Sequence, residues 1–186
     1  MQPSLLHRIQ FDNDELAFRE FYEGNVFRLF QFAFTFVQNR ELSEEIVNDV
    51  FLKLWHNRGR IDQVDNISVY LYVAVKNTAM NYLRQLKVRQ DSDLGKQAVH
   101  HFYLSPDPEQ LLVTDELRRR IEAAIEGLPA RCKLIFKLVK EDGLSASEVA
   151  SILDISYKTV TTQITIALRK LEEVLKPSLE QRRIRL

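Results

Sequence analysis

The chain has 186 residues, of which 45% are hydrophobic, and its 26 basic residues balance its 26 acidic residues. This length and apolar content allow one sizeable domain or two small ones. A single cysteine excludes an internal disulfide, and the most apolar stretch, residues 29–37, is too short to cross a bilayer, so we expect a cytoplasmic protein.

Glycine and proline are sparse, with five of each, and few stretches alternate between apolar and polar residues. Both features favour an all-α fold. Residues 88–113 hold an Asp-Ser-Asp run, Gly95, Pro106 and Pro108 without sustained periodicity, which predicts a flexible linker. We therefore expect two small helical domains, residues 1–87 and residues 114–175, followed by a basic tail at residues 176–186.

In the first domain, helical periodicity predicts helices over about residues 12–37, 43–57 and 67–87. For the helix at 43–57, the predicted core side consists of Val47, Val50, Phe51 and Leu54. The opposite side carries Glu45, Asn48, Asp49 and Leu52. An apolar residue among acids is consistent either with an isolated surface leucine or with an acidic patch that docks a basic helix of a partner protein.

The helix at 67–87 also has two contrasting sides. Its predicted buried stripe consists of Leu71, Val75, Ala79, Tyr82 and Leu86. The opposite stripe has no acid and carries Asn66, Tyr70, Asn77, Asn81, Arg84 and Lys87. Amides can hydrogen-bond base edges, aromatic rings stack on unpaired bases and cations bind phosphates, so this stripe is a candidate surface for single-stranded nucleic acid. A generic polar surface with one exposed tyrosine is the alternative.

Residues 144–171 have the pattern of a helix-turn-helix, and Gly127, Pro129 and Gly143 divide the helical block before it. Asp154 stands in the turn, where a left-handed backbone is needed and Asp is better tolerated than most residues. Ser156 is placed to cap the second helix. That helix is predicted to be buried through Val160, Ile164, Leu168 and Leu171.

The start and the exposed side of this second helix carry Ser156, Tyr157, Lys158, Thr159, Thr161, Thr162, Thr165 and Arg169. The side from 158 to 169 has no acid, which is typical of a helix that lies in the major groove of DNA. An ordinary helical hairpin is the alternative. Zero net charge limits the affinity for DNA, because phosphate neutralisation supplies most of it. The chain therefore needs either to dimerise or to bind DNA together with a larger partner.

Together these segments resemble the sigma-70 family of RNA polymerase sigma factors, in its two-domain extracytoplasmic-function (ECF) group. Residues 43–55 (SEEIVNDVFLKLW) are similar to region 2.2, which binds the clamp coiled coil of the polymerase β′ subunit. Residues 70–84 (YLYVAVKNTAMNYLR) are similar to regions 2.3 and 2.4, which melt and recognise the minus-10 promoter element. Residues 128–136 (LPARCKLIF) and the helix-turn-helix after them are similar to region 4, which binds the minus-35 element.

The resemblance implies a role for each of the three candidate surfaces. The patch around Glu45 and Leu52 would bind core polymerase, the stripe from 66 to 87 would bind the minus-10 strand, and residues 156–169 would bind minus-35 duplex. Three positions depart from the family pattern. Tyr70 stands where many relatives have Trp, Asp154 replaces Gly in the turn, and the exposed side of the last helix is unusually rich in threonine.

The resemblance also implies partners: core RNA polymerase, through its β′ clamp and β flap, promoter DNA and an anti-sigma factor. It implies a monomer with no cofactor and no catalytic activity. An enzyme is disfavoured on the residues as well, because no metal-ligand spacing, phosphate loop or nucleophile motif is present, even at the adjacent His100 and His101. The alternative is a conventional helix-turn-helix regulator with a helical sensory or dimerisation domain, which usually dimerises to recognise paired half-sites.

Overall fold

The computed structural model describes residues 4–92 and 116–183, and every regular element in these two ranges is helical, which confirms the all-α prediction. The α-helices are α1 (Leu5–Phe11), α2 (Glu15–Val37), α3 (Arg40–His56), α4 (Ile67–Ser92), α5 (Glu116–Glu126), α6 (Ala130–Lys140), α7 (Ala146–Leu153) and α8 (Tyr157–Arg183). A 3-10 helix, Arg58–Gln63, connects α3 to α4. The contacts divide the chain into two compact units, Met1–Phe102 and Tyr103–Leu186. No helix in the described ranges is both long and apolar enough to cross a membrane.

Side-chain caps begin the helices of the first unit. Asp14 caps α2, since its Oδ1 accepts the backbone N–H groups of Leu16 and Ala17 at 2.9 and 3.0 Å. Its Oδ2 accepts two bonds from the Arg8 guanidinium, at 2.9 and 2.6 Å. The bond from the Ala17 amide and the contact with Arg8 hold the pKa of the Asp14 carboxyl below its ordinary value. Asn39 caps α3 in the same way, with its Oδ1 2.8 Å from the Leu42 nitrogen.

The core of the first unit forms around α2, which packs against α1, α3 and α4. Phe51 of α3 is buried, and its ring centroid lies 6.1 Å from that of Phe18 and 4.8 Å from that of Tyr22. Phe32 packs edge-to-face on Tyr72 of α4, with centroids 4.9 Å apart. These aromatic contacts hold α3 and α4 against α2, and each of the two helices keeps one side turned away from the core.

In the second unit, α8 packs against α5, α6 and α7. One core cluster joins α8 to α6 and the turn before it, and consists of Leu128, Cys132, Phe136, Ala167 and Leu171. The Cys132 thiol donates to the carbonyl oxygen of Gln163, 3.2 Å away. The helix-turn-helix is held by the complete burial of Val149, Ile152 and Val160.

Several helices extend beyond the ranges that the sequence predicts. Helix α1 was not predicted at all, because seven residues are too few to establish a helical period. Helix α3 begins at Arg40 rather than at residue 43, since Asn39 supplies the cap. Helix α4 continues to Ser92, into the stretch assigned to the linker, and α8 continues to Arg183, into the predicted basic tail. Residues 93–115, most of the predicted linker, lie outside the described residues.

Two residues predicted to be buried are exposed. Leu168 is 46% exposed, and Ala167 is buried in its place. At 100° per residue, Ala167 lies about 20° from the direction of Val160, whereas Leu168 has drifted to about 80°. Tyr82 is 36% exposed. The buried stripe of α4 ends at Ala79, and no residue from 80 to 87 is buried, so Tyr82 lies beyond the part of α4 that the core covers.

A charged residue lies in the core of the second unit. The side chain of Lys133 is 8% exposed, and its Nζ donates to Glu126 Oε2, 2.9 Å away. Lys137 Nζ lies 3.7 Å from the other carboxylate oxygen of Glu126. A buried ammonium group is tolerated when it has a hydrogen-bonded partner of opposite charge. Glu126 therefore ties the end of α5 to α6 across the turn that contains Gly127.

We predict that Glu126→Ala lowers the free energy of unfolding of the second unit by about 1–3 kcal/mol, because the buried ammonium of Lys133 loses its acceptor. Denaturant unfolding followed by far-ultraviolet circular dichroism measures this loss. The only tryptophan, Trp55, lies in the first unit, so the transition followed by its fluorescence should not move.

The matched control is Glu172→Gln. It removes an exposed ion pair of α8, whose Nζ–Oε1 distance to Lys176 is 3.5 Å, and surface pairs of this kind contribute about 0–1 kcal/mol. Equal destabilisation by the two substitutions would contradict the role given to the buried pair.

Candidate interfaces for nucleic acid and a protein partner

The first candidate interface lies on α3. Its members are Glu45, Asn48, Asp49 and Leu52, which we call the α3 patch. All four are exposed, and their spacing of three and four residues places them on one side of the helix. Leu52 is 55% exposed, while Val50 and Phe51 beside it are buried. The patch therefore combines two carboxylates and an amide with one large apolar side chain on the surface.

Asn48 is held in place by a residue that the sequence analysis did not identify. The Tyr22 hydroxyl of α2 donates to Asn48 Oδ1 at 2.9 Å, and the Tyr22 ring packs on Phe51. The amide of Asn48 is thus oriented before any partner arrives, which lowers the entropy cost of a contact through it. The two residues are 26 positions apart, and no sequence pattern links them.

The second candidate interface follows α4 and includes the residue before its first turn. We call it the α4 stripe, and its members are Asn66, Tyr70, Asn77, Asn81, Arg84 and Lys87. All six are exposed, and Met80 between them is exposed as well. The residues from 66 to 87 span about 31 Å at 1.5 Å per residue. The α4 stripe is therefore a long surface that carries amides, one aromatic ring and two cations.

Three members of the α4 stripe, Asn66, Asn81 and Arg84, form hydrogen bonds with residues of α4. Asn66 Oδ1 accepts the backbone N–H of Val69 at 3.1 Å, so this side chain caps the start of α4. Arg84 Nη1 donates to Asn81 Oδ1 at 2.9 Å. The bond sets the direction of both side chains along the exposed side of the helix. Arg84 keeps further N–H groups that can bind a phosphate.

The third candidate interface depends on the turn between α7 and α8. Helix α7 begins with a capping box, in which Ser145 Oγ accepts from the Glu148 nitrogen and Glu148 Oε2 accepts from the Ser145 nitrogen. It ends at Asp154, whose φ of 57° and ψ of 47° are left-handed, as predicted. The Asp154 N–H donates to the carbonyl oxygen of Ala150. This turn leads into α8, which begins three residues later at Tyr157.

Ser156 caps α8, as the sequence predicts, since its Oγ accepts the backbone N–H of Thr159 at 3.0 Å. The hydroxyls of Ser156 and Thr159 also bond to each other, at 2.8 Å. Thr159 is half-buried, and both its hydroxyl and its backbone N–H bond to the capping side chain of Ser156 in the first turn of the helix. Tyr157 is 57% exposed beside it. The N-terminus of α8 therefore presents a tyrosine ring together with the positive end of the helix dipole.

The exposed side of α8 continues from this first turn. We call it the α8 face, and its members are Lys158, Thr161, Thr162, Thr165 and Arg169. Thr161 is half-buried and the other four are exposed. Arg169 Nε lies 3.6 Å from Glu173 Oε1. Because both side chains are exposed, Arg169 can leave Glu173 for another anion at a small cost in free energy. The α8 face carries two cations and no carboxylate.

The α3 patch and the α4 stripe lie in the first unit, and the α8 face lies in the second. The predicted residues of each surface lie on one helix, apart from Asn66 and Ser156, which directly precede α4 and α8. Among the residues that the structure describes, no group of three or more His, Cys, Asp or Glu side chains could hold a metal ion. His100 and His101 lie outside the described residues.

Comparison with protein families matches both units. The family model "Sigma-70 region 2" matches residues 21–89, which contain the α3 patch and the α4 stripe. The family model "Sigma-70, region 4" matches residues 118–171, which contain the helix-turn-helix and the α8 face. The two models cover about two thirds of the chain in the order in which the sequence analysis placed the two regions.

Individual relatives agree with the family models. The ECF RNA polymerase sigma-E factor of Escherichia coli strain K12 is 28% identical over 140 residues, which are 72% of this chain and 73% of that protein. The ECF RNA polymerase sigma factor SigK of Mycobacterium bovis is 24% identical over 178 residues, which are 92% of each chain.

Solved structures also share the fold. The sigma factor RpoE of Bartonella quintana, solved in complex with the anti-sigma factor NepR, has a TM-score of 0.56 and 22% identity over 85% of this chain and 98% of its own. CnrH, solved in complex with the cytosolic domain of CnrY, has a TM-score of 0.53 and 19% identity over 93% of this chain and 96% of its own. The chain belongs to the sigma-70 family, in its ECF group, and is a sigma factor for promoter-specific initiation of transcription.

Proposed function

We propose that the chain binds core RNA polymerase through the α3 patch, the melted minus-10 element through the α4 stripe and minus-35 duplex through the α8 face. The observation that carries this assignment is the pair of exposed helical surfaces without carboxylates, one in each unit. The zero net charge supports it, because a polymerase with a basic DNA channel would supply the phosphate contacts that this chain lacks. The protein acts by binding, in the cytoplasm, and its own side chains carry out no chemical step.

The direct test is transcription from a promoter library with purified core polymerase, with and without the chain. Transcripts that start at defined sites only when the chain is present support the proposal. A chain that binds a duplex tightly as a dimer and ignores core polymerase would instead be a conventional regulator, which recognises paired half-sites.

The α3 patch fits a basic helix of the polymerase, the clamp coiled coil of β′. Its carboxylates at Glu45 and Asp49 offer charge complementarity, and Leu52, about one turn beyond Asp49, offers an apolar anchor. The Tyr22–Asn48 bond holds the centre of the patch in one conformation. Protein interfaces commonly combine large apolar side chains with polar and charged neighbours.

We predict that the double substitution Glu45→Lys and Asp49→Lys weakens binding to core polymerase at least about ten-fold, because two attractions become repulsions. Affinity is measured by fluorescence anisotropy of the labelled chain. The control is Glu20→Lys on α2, an exposed acid about 200° round the helix from Phe18, which faces α3. Unchanged affinity in the double variant would remove the α3 patch from the polymerase interface.

The α4 stripe fits an unpaired strand. Tyr70 can stack on a flipped or unstacked base, and the amide of Asn77 can hydrogen-bond a base edge that pairing would otherwise occupy. Arg84 and Lys87 follow at the far end of the stripe, where they can bind successive phosphates. The same set of side chains has few partners on a closed duplex, so binding favours the melted state.

We predict that Asn77→Ala reduces the fraction of open complex about five-fold, because it loses about one hydrogen bond to the unpaired strand. The measurement is permanganate reactivity of unpaired thymines in complexes formed with core polymerase. Ser68→Ala is the matched control, since residue 68 lies on the opposite side of α4 from Asn77. Equal loss of duplex binding and of melting would contradict a role for Asn77 specific to the single strand.

The α8 face fits the major groove of the minus-35 duplex. Lys158 and Arg169 lie near the two ends of the face and can bind phosphates of the backbone, while the threonines between them lie towards the base edges. The N-terminal end of α8 adds its helix dipole to the attraction for phosphate.

We predict that Lys158→Ala weakens the binding of polymerase holoenzyme to promoters and reduces the slope of log affinity against log salt by about one phosphate contact. Filter binding over a series of salt concentrations measures the slope. Lys140→Ala is the control, because Lys140 is an exposed lysine at the end of α6. A slope that is the same in both variants would show that Lys158 does not contact phosphate.

We also propose that an anti-sigma factor regulates the chain. The two solved structures described above, which are among those that share its fold, were determined with such a partner or with a partner's cytosolic domain. The large apolar side chains that the first unit exposes include Leu52 of the α3 patch and Phe27 of α2, which a partner can cover. Covering Leu52 would also compete with core polymerase for the α3 patch.

A further inference from the structure

Three threonine hydroxyls on the α8 face are already bonded to their own helix. The Oγ1 atoms of Thr161 and Thr162 lie 3.0 and 2.7 Å from the carbonyl oxygen of Lys158. Thr165 Oγ1 lies 2.9 Å from the carbonyl oxygen of Thr161. A carbonyl oxygen can only accept, so in each bond the hydroxyl donates its single proton. Each hydroxyl therefore keeps lone pairs, and no proton, for a molecule outside the helix.

This arrangement restricts what the threonines can recognise in a major groove. Guanine N7 and O6, thymine O4, adenine N7 and the phosphate oxygens are all acceptors, and an acceptor cannot bond to a hydroxyl without a free proton. The groups that can donate to it are the amino groups of adenine and cytosine. The back-bonded hydroxyls thus disfavour guanine.

The threonine methyl groups further restrict the base pairs that the α8 face can recognise. Thr162 and Thr165 are exposed and three residues apart, so they are neighbours on the same side of α8. Because each hydroxyl is turned towards the helix backbone, the γ-methyl group is what the side chain presents to a neighbouring molecule. In the major groove, the apolar partner for such a methyl group is the C5-methyl of thymine. A T·A pair offers both that methyl group and the adenine amino donor.

We infer, on the basis of the proposed minus-35 role of α8, that Thr162 and Thr165 select T·A pairs in the minus-35 element through contact between their γ-methyl groups and thymine methyl groups. Their hydroxyls serve as acceptors for an adenine amino group and do not bind phosphate. Lys158 and Arg169 bind the phosphates on either side. The specificity of this helix is thus carried by methyl contact, and its attraction for DNA by two cations.

The test begins with holoenzyme made from the full chain and core polymerase, used to select sequences from a promoter library. Each thymine of the enriched minus-35 element is then replaced in turn by deoxyuridine, which lacks only the methyl group. We expect at least one replacement to weaken holoenzyme binding by about three- to five-fold, the value of one buried methyl group. Deoxyuridine in the spacer between the two promoter elements is the control and should have no effect.

Variants of the chain test which threonine atoms are responsible for the preference for thymine over uracil. Thr162→Val and Thr165→Val keep the methyl group and remove the hydroxyl, so they should keep the preference for thymine over uracil. Thr162→Ser and Thr165→Ser keep the hydroxyl and remove the methyl group, so at least one of them should abolish that preference. Thermal unfolding of each variant excludes a general loss of structure.

Two results would overturn the inference: equal binding to thymine and uracil by the unmodified chain, or loss of the preference in the valine variants with retention in the serine variants. Either result leaves the proposed function intact as long as the holoenzyme still initiates at selected promoters. If no library sequence supports initiation with core polymerase, the proposed function itself fails, and the inference fails with it.

Discussion

Val160 and Ala167 are completely buried against the core of the second unit, and this contact sets the rotation of α8 about its axis. The small side chain of Ala167 allows close packing, so the helix cannot turn without exposing Val160 or opening a void. The same constraint operates in α4, where Leu71, Val75 and Ala79 are buried. Once one stripe of each helix is buried, the opposite side chains are directed outwards, and the candidate interfaces follow from the packing.

The distribution of charge complements this geometry. The chain has no net charge, yet the α4 stripe and the α8 face hold cations without carboxylates, while the α3 patch holds two carboxylates. The two kinds of surface suit partners of opposite charge, which in the proposed function are nucleic acid and a basic protein helix. A balanced total limits indiscriminate binding to DNA, since few phosphates can be neutralised by the chain alone. In the proposed function, promoter binding then depends on a complex in which two weak contacts act together.

Long helices and their exposed sides could be predicted from the sequence, because a helix with one buried stripe repeats its apolar residues over many turns. The left-handed Asp154 and the cap at Ser156 were predictable because each depends on a local preference. The seven residues of α1 offered too short a repeat. The burial of Ala167 rather than Leu168 follows from the helical angle to Val160, whereas the Tyr22–Asn48 bond joins positions 26 residues apart that no local pattern links. Contacts of this kind arise from tertiary packing, which a linear pattern does not encode.

The burial of Cys132 allows fluorescent dyes to be attached selectively to cysteines introduced elsewhere in the chain. Burial raises the pKa of its thiol, against the opposing attraction of the nearby Lys170 charge, so little of the reactive thiolate is present at neutral pH. The side chain is also closed to reagents, with its proton directed at the Gln163 carbonyl. Since no other cysteine is present, one introduced at the surface of either unit would take up a maleimide dye selectively. Two such dyes, one on each unit of the doubly substituted chain, would report changes in the distance between the units during initiation.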